Sequence, residues 1–203
     1  MKSLRVLWIL LVAFSLFNCA SGRNYILYLK YQPDRDFPSL RGQIGSTVAI
    51  APFKDARTYT TYIGIHTPIL GLSGYYKSDP FPLERAIEDS ISQALAHYGV
   101  KAVPIADWNG KPQSLKDIAA DSILMIQINK FWTEGRATPF GTTIKTSIQL
   151  VIHLGVKKEN EVFTRNVDIE KEITVARSTP QRVEGMINGM LADILDHYFS
   201  HPY

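Results

Sequence analysis

The sequence predicts an α+β fold: a mixed, largely antiparallel sheet with a long C-terminal hairpin and two main amphipathic helices packed on one face. Three observations carry this expectation. Ile144, Thr146, Ile148, Leu150, Ile152, Leu154 and Val156 alternate with Lys145, Ser147, Gln149 and His153, the period-two signature of a sheet with one wet face. Leu83, Ile87, Ile91, Leu95 and Tyr98 recur at helical spacing. So do Val183, Ile187, Met190, Leu191, Ile194 and Tyr198 near the C-terminus.

The chain has 203 residues, 45% of them hydrophobic and 20% charged, ordinary composition for one globular core. Of its 22 basic residues, Lys2 and Arg5 lie in the first 18, leaving 20 against 19 acidic ones. The remainder is almost neutral and has no basic stripe, so nucleic acid is not an expected partner.

The first 19 residues, MKSLRVLWILLVAFSLFNC, join a basic start to a short apolar run. A spanning helix needs about 20 apolar residues, and this run is shorter; it has the form of a secretory signal. Cys19 is the only cysteine of the chain. A lone thiol exported to an oxidising compartment makes no internal disulfide, but it can be acylated. Leu16 stands three positions before Cys19. That spacing resembles the bacterial lipobox, although Phe17 and Asn18 replace its usual small residues. The resemblance implies a signal peptide over 1–18, a lipidated tether over 19–24 and an α+β domain over 25–203. It also implies anchoring in the envelope through Cys19. The absence of Asp after Cys19 (Ala20 stands there) favours the outer membrane, with the domain facing the periplasm.

After the tether, YILYLKY (25–31) reads as a strand and 32–45 as a turn-rich connection. The nearly all-apolar STVAIAPF (46–53) reads as a central strand. Residues 54–81 show no clean period and read as a long irregular loop. Pro82 and Gly99 bracket the first main helix. VKAVPI reads as a strand, QSLKDIAA as a short helix and SILMIQINKFW (122–132) as a strand. The long hairpin covers 143–175, with its turn at KKENE. Its second arm carries Phe163, Val167, Ile169, Ile173 and Val175 on one side, interrupted by Arg165 and Lys171, as edge strands often are. Ser178 or Thr179 caps the last helix, with Pro180 in its first turn.

The string VAIAPFKDART, an amphipathic helix, YGVKAVP, SILMIQINKFW, a long hairpin and a terminal helix together resemble the YajG-type outer-membrane lipoproteins. They also resemble the auxiliary lipoproteins of ABC-type lipid-transport systems. The local motif behind the resemblance is Pro52-Phe53-x-Asp55-x-Arg57. The resemblance implies no enzymatic activity, no cofactor and no catalytic residues. It implies membrane attachment and an envelope protein or lipid as partner, in envelope transport or assembly. The alternative is a structural or stress-related outer-membrane lipoprotein without a small-molecule ligand.

Within the chain, Asp55 and Arg57 are expected either to pin a turn or to form a polar grip. The segment 59–76, with Tyr62, Ile65, Leu70 and Tyr75 as its candidate binding residues, either roofs the core or meets lipid, membrane or a partner. His197 and His201 have helical metal-ligand spacing but no evident third ligand, and no metal is expected. Gly185 and Gly189, each costing about 1 kcal/mol against Ala in a helix, suggest close packing of that helix on the sheet, or a notch for a partner helix or acyl chain.

Overall fold

The computed structural model describes residues 23–33 and 37–202; Cys19 and the expected signal segment, 1–18, lie outside the described residues. The architecture is α+β, with a mixed nine-stranded sheet. Its spine is an antiparallel meander of three long strands, β7 (Ser122–Thr138), β8 (Gly141–Val156) and β9 (Glu161–Val175).

The free edge of β7 takes three short strands in succession, all parallel to it. β2 (Thr47–Ile50) pairs near its start, β3 (Lys54–Asp55) at its middle and β4 (Gly64–Thr67) near its end. The sheet therefore forks. At one end β6 (Lys101–Pro104) adds parallel to β2. At the other, β5 (Gly74–Asp79) adds antiparallel to β4, and β1 (Asn24–Tyr28) adds parallel to β5.

The alternation of β8 is realised: Ile144, Ile148, Leu150 and Ile152 are each 0–1% exposed. They share one core with Ile87 and Ile91 of α2 (Leu83–His97) and Ile187 and Leu191 of α3 (Pro180–Ser200). Each such aliphatic side chain contributes about 1.5–3 kcal/mol on full burial. A smaller cluster, Ala49, Ala51, Trp108, Leu115 and Ile123, is closed by partly buried Ile105, Ile118 and Ala120 of the segment leading into β7. A bulge between Ile128 and Lys130 resets the phase of β7. Inward residues are Leu124, Ile126 and Ile128 before it, and Phe131 and Thr133 after it.

Several expectations change in detail. Residues 54–81 are not one irregular loop, because β3, β4 and β5 lie within them. These strands are too short to show a period. β4 and β5 also open on glycines forced by close approach: a Cβ on Gly64 would sit 2.1 Å from the Thr133 carbonyl oxygen, and one on Gly74 would sit 2.7 Å from that of Arg23. A short helix α1 (Leu40–Ile44) interrupts the expected turn-rich connection. The QSLKDIAA helix is a 3₁₀ segment, Pro112–Asp117. Gly185 and Gly189 are exposed, and a Cβ at either would meet nothing within 4 Å, so close packing on the sheet does not account for them.

Candidate contact surface

The segment between β3 and β5 is fixed at its base and free at its tip. The base is a buried ion pair: Arg57 Nε donates to Asp55 Oδ1 at 2.8 Å and Nη2 to Asp55 Oδ2 at 2.7 Å, with both side chains 5% exposed. Arg57 also donates to the carbonyls of Thr60, Tyr62 and Phe131 at 2.9–3.1 Å. These bonds use all five guanidinium donors. The pair thus ties the chain after β3 both to itself and to β7.

Beyond this clamp, the ring of Tyr62 stacks on that of Tyr75 with centroids 4.6 Å apart. Tyr62 and Ile65 are half-buried and Ile63 is buried. The β4–β5 connection, residues 68–73, then turns outward. Ile69, Leu70 and Leu72 are 57%, 88% and 59% exposed. Of the candidate binding residues, Asp55 and Arg57 lie at the clamp, Tyr62, Ile65 and Tyr75 along the hairpin, and Leu70 on the apolar tip. The residue that sequence reading missed is Phe140, 97% exposed in the β7–β8 turn. Its signal was an aromatic in Pro-Phe-Gly, between two alternating runs.

Below the tip, Tyr25 of β1 packs edge-on against His66 and tilted against Tyr76. With Ser178, Thr179 and Pro180 they line a cavity of about 40 Å³, large enough for water only. Burial lowers the pKa of His66 from the usual imidazole value and raises the Tyr76 phenol to about 12. A larger open hollow lies at the other end of the sheet, about 350 Å³ between α1 and the β8–β9 turn. There the Asp121 carboxylate accepts the backbone N–H groups of Ser46 and Thr47 at 2.8 and 3.0 Å and the Ser46 hydroxyl, and these bonds hold its pKa down.

Among the described residues, no group of three or more His, Cys, Asp or Glu side chains is placed to hold a metal ion. His197 and His201 stand with ring centroids 6.3 Å apart on the exposed side of the C-terminal turn. No helix of the described residues is long and apolar enough to cross a membrane.

No family model matches this sequence, and no curated protein matches it. Solved structures are similar to it. Protein XCC0632 from Xanthomonas campestris, family-model DUF330, superposes with a TM-score of 0.57 at 16% identity, covering 88% of this chain and 93% of that one. Lipoprotein GNA1162 from Neisseria meningitidis gives 0.41 at 9% identity, covering 74% and 99%. The hypothetical protein CT253 from Chlamydia trachomatis gives 0.44 at 11% identity, covering 78% and 99%. The likeness to the Xanthomonas protein is one of fold.

Proposed function

We propose that this chain is a non-enzymatic, lipid-anchored accessory of the bacterial outer membrane. It is held through Cys19 with its α+β domain towards the periplasm, and it meets an envelope protein or lipid in transport or assembly. The observation that carries the reading is the β4–β5 hairpin. Its base is clamped into the sheet by Arg57 and Asp55, while three large aliphatic side chains, Ile69, Leu70 and Leu72, stand exposed at its tip. Exposed apolar groups on a rigid support are a contact surface in search of a partner. The short stretch from Cys19 to the sheet keeps that surface near the envelope.

Two measurements test it. Replacing Cys19 by Ser abolishes fatty-acid labelling and detergent-phase partitioning. A photo-crosslinking residue at Leu70, in intact cells, yields a covalent adduct with an envelope protein or a phospholipid. A Cys19→Ser chain that still labels with fatty acid, or a folded Leu70 photoprobe that captures neither, removes the reading.

A further inference from the structure

The strand directions bring four separated segments to one end of the sheet. β1 starts there, because Asn24 pairs with Tyr75 at the start of β5. The β4–β5 tip is there, since β4 runs parallel to β7 and Thr67 pairs with Arg136. The β7–β8 turn with Phe140 is there, and so is the end of β9, where Val175 pairs with Thr142. The start of α3 completes the set: Ser178, Thr179 and Pro180 share a cavity wall with Tyr25 and His66.

This end has a distinct chemistry. Residues 23–24, 66–74, 136–142 and 174–182 contain Arg23, Arg136, Arg177 and Arg182 and no Asp or Glu. All four arginines are exposed, and among the described residues none is ion-paired. Between them project Leu70 at 88% and Phe140 at 97% exposure, flanked by Ile69 and Leu72. The opposite end is mixed in sign: its β8–β9 turn reads Lys157-Lys158-Glu159-Asn160-Glu161, with Lys158 and Glu159 ion-paired at 3.6 Å.

We propose that the end of the sheet bearing the β4–β5 and β7–β8 tips is a bilayer-seating surface, with Ile69, Leu70, Leu72 and Phe140 entering the acyl boundary and the four arginines meeting lipid phosphates. This rests on the anchored reading above and deepens it by committing the tip to the membrane. Three facts select a bilayer over a protein. The chain enters the sheet at this end, and the four residue-to-residue steps from Cys19 to Arg23 span at most about 14 Å, so an acylated Cys19 holds this end at the lipid surface. Apolar tips framed by unpaired cations and free of carboxylates match an interface that is apolar inside and anionic at its surface. Arginine also pairs phosphate oxygens with two parallel N–H donors, which suits headgroups. The acylated Cys19 supplies attachment, and the seating surface fixes orientation, turning the Lys157–Glu161 end outwards.

The test uses the full lipidated chain in vesicles containing phosphatidylglycerol. Leu70→Cys and Phe140→Cys, both at exposed positions, are labelled with an environment-sensitive thiol dye; Glu159→Cys reports the far end. The expected result is blue-shifted emission at 70 and 140, quenched by spin-labelled lipid, and a solvent-like, unquenched signal at 159. Solvent-like emission at both tips overturns the proposal. A blue shift without lipid quenching also overturns it, because protein, whether a partner or a second copy, then covers the tips. The unsubstituted chain separates this failure from failure of the anchor. Its only cysteine is Cys19, so dye uptake there means a free thiol and an absent anchor, whatever the tips do.

Discussion

Asn188 of α3 makes two of the three side-chain hydrogen bonds that the outer edge of β1 receives around Tyr28. Its Nδ2 donates to the Tyr28 carbonyl at 3.0 Å, and its Oδ1 accepts from the Lys30 N–H at 3.1 Å. One helical turn earlier, Glu184 Oε2 accepts the Tyr28 N–H at 2.9 Å. A helix thus covers a sheet edge that would otherwise invite another strand. Each bond contributes about 0.5–1.5 kcal/mol, so Asn188→Ala should lower unfolding free energy by about 1–2 kcal/mol in a urea titration. Asn188→Asp keeps the acceptor for Lys30 and loses the donor, and its loss should fall between wild type and Ala. A chemical midpoint unchanged in the Ala variant refutes the edge-capping role.

The Arg57–Asp55 clamp predicts a larger effect. Removing one partner of a buried pair leaves the other charged and desolvated, a loss of about 3–5 kcal/mol. Arg57→Ala should therefore unfold at markedly lower denaturant, and Arg57→Lys should recover only part, because an ammonium cannot repeat five directed bonds. Asp55→Ala combined with Arg57→Ala should be milder than Arg57→Ala alone. If the double variant is the worse of the two, the charge left behind is not what costs stability.

Leu150, 1% exposed at the middle of β8, tests the spine. Leu150→Asp places an unpartnered carboxylate between the sheet and the two helices, which costs several kcal/mol. Loss of cooperative unfolding is expected by circular dichroism, and near-normal thermal stability would contradict the assigned inner face.

The pH dependence has a definite sign. Burial lowers the pKa of His66 and His153 below the usual 6.5. In the window between the lowered folded values and 6.5, the unfolded chain binds more protons than the folded one. Stability therefore rises with pH there and is lost as pH falls below about 6.5. Hydrogen bonds from Thr47 and Ser46 depress Asp121 below its usual 3.8, so its contribution is lost at lower pH still, in the same direction. Urea midpoints measured at pH 7.5 and 5.5 should differ, and His66→Gln with His153→Gln should shrink the difference. An equal slope in that double variant refutes the assignment.

What was legible in the sequence was what repeats. β8 alternates over thirteen residues, from Ile144 to Val156, because one face is buried along its whole length, and both helices show their apolar stripes. The β4–β5 hairpin was illegible because its strands are short, and because Gly64 and Gly74 occupy positions where a side chain would meet neighbouring strands. The end of β7 beyond Trp132 was missed because its buried positions there, Thr133 and Gly135, are small or polar and give no apolar alternation. Asp55 and Arg57 stood out as a pair, but their closure around the Phe131 carbonyl depends on a residue 74 positions away. The common end shared by Arg23, Leu70, Phe140 and Arg177 follows from strand direction, which local pattern does not encode.

The candidate residues of the 59–76 segment should separate when substituted singly. Leu70 stands in solvent at 88% exposure, so Leu70→Ser should leave the unfolding free energy within about 0.5 kcal/mol of wild type. Ile65 is half-buried within β4, between Tyr75 and Glu134 in register; Ile65→Ser should cost about 1 kcal/mol, a fraction of full burial. Tyr62→Ser removes the stack on Tyr75, about 0.5–1.5 kcal/mol beyond lost area. Contact should show the reverse ranking. A spin-labelled-lipid or crosslinking readout should fall most for Leu70→Ser and least for Tyr62→Ser, since the tip reaches outwards and the stack lies against the sheet. If Leu70→Ser destabilises the domain as strongly as Ile65→Ser, the tip is packed rather than presented, and the contact surface must lie elsewhere.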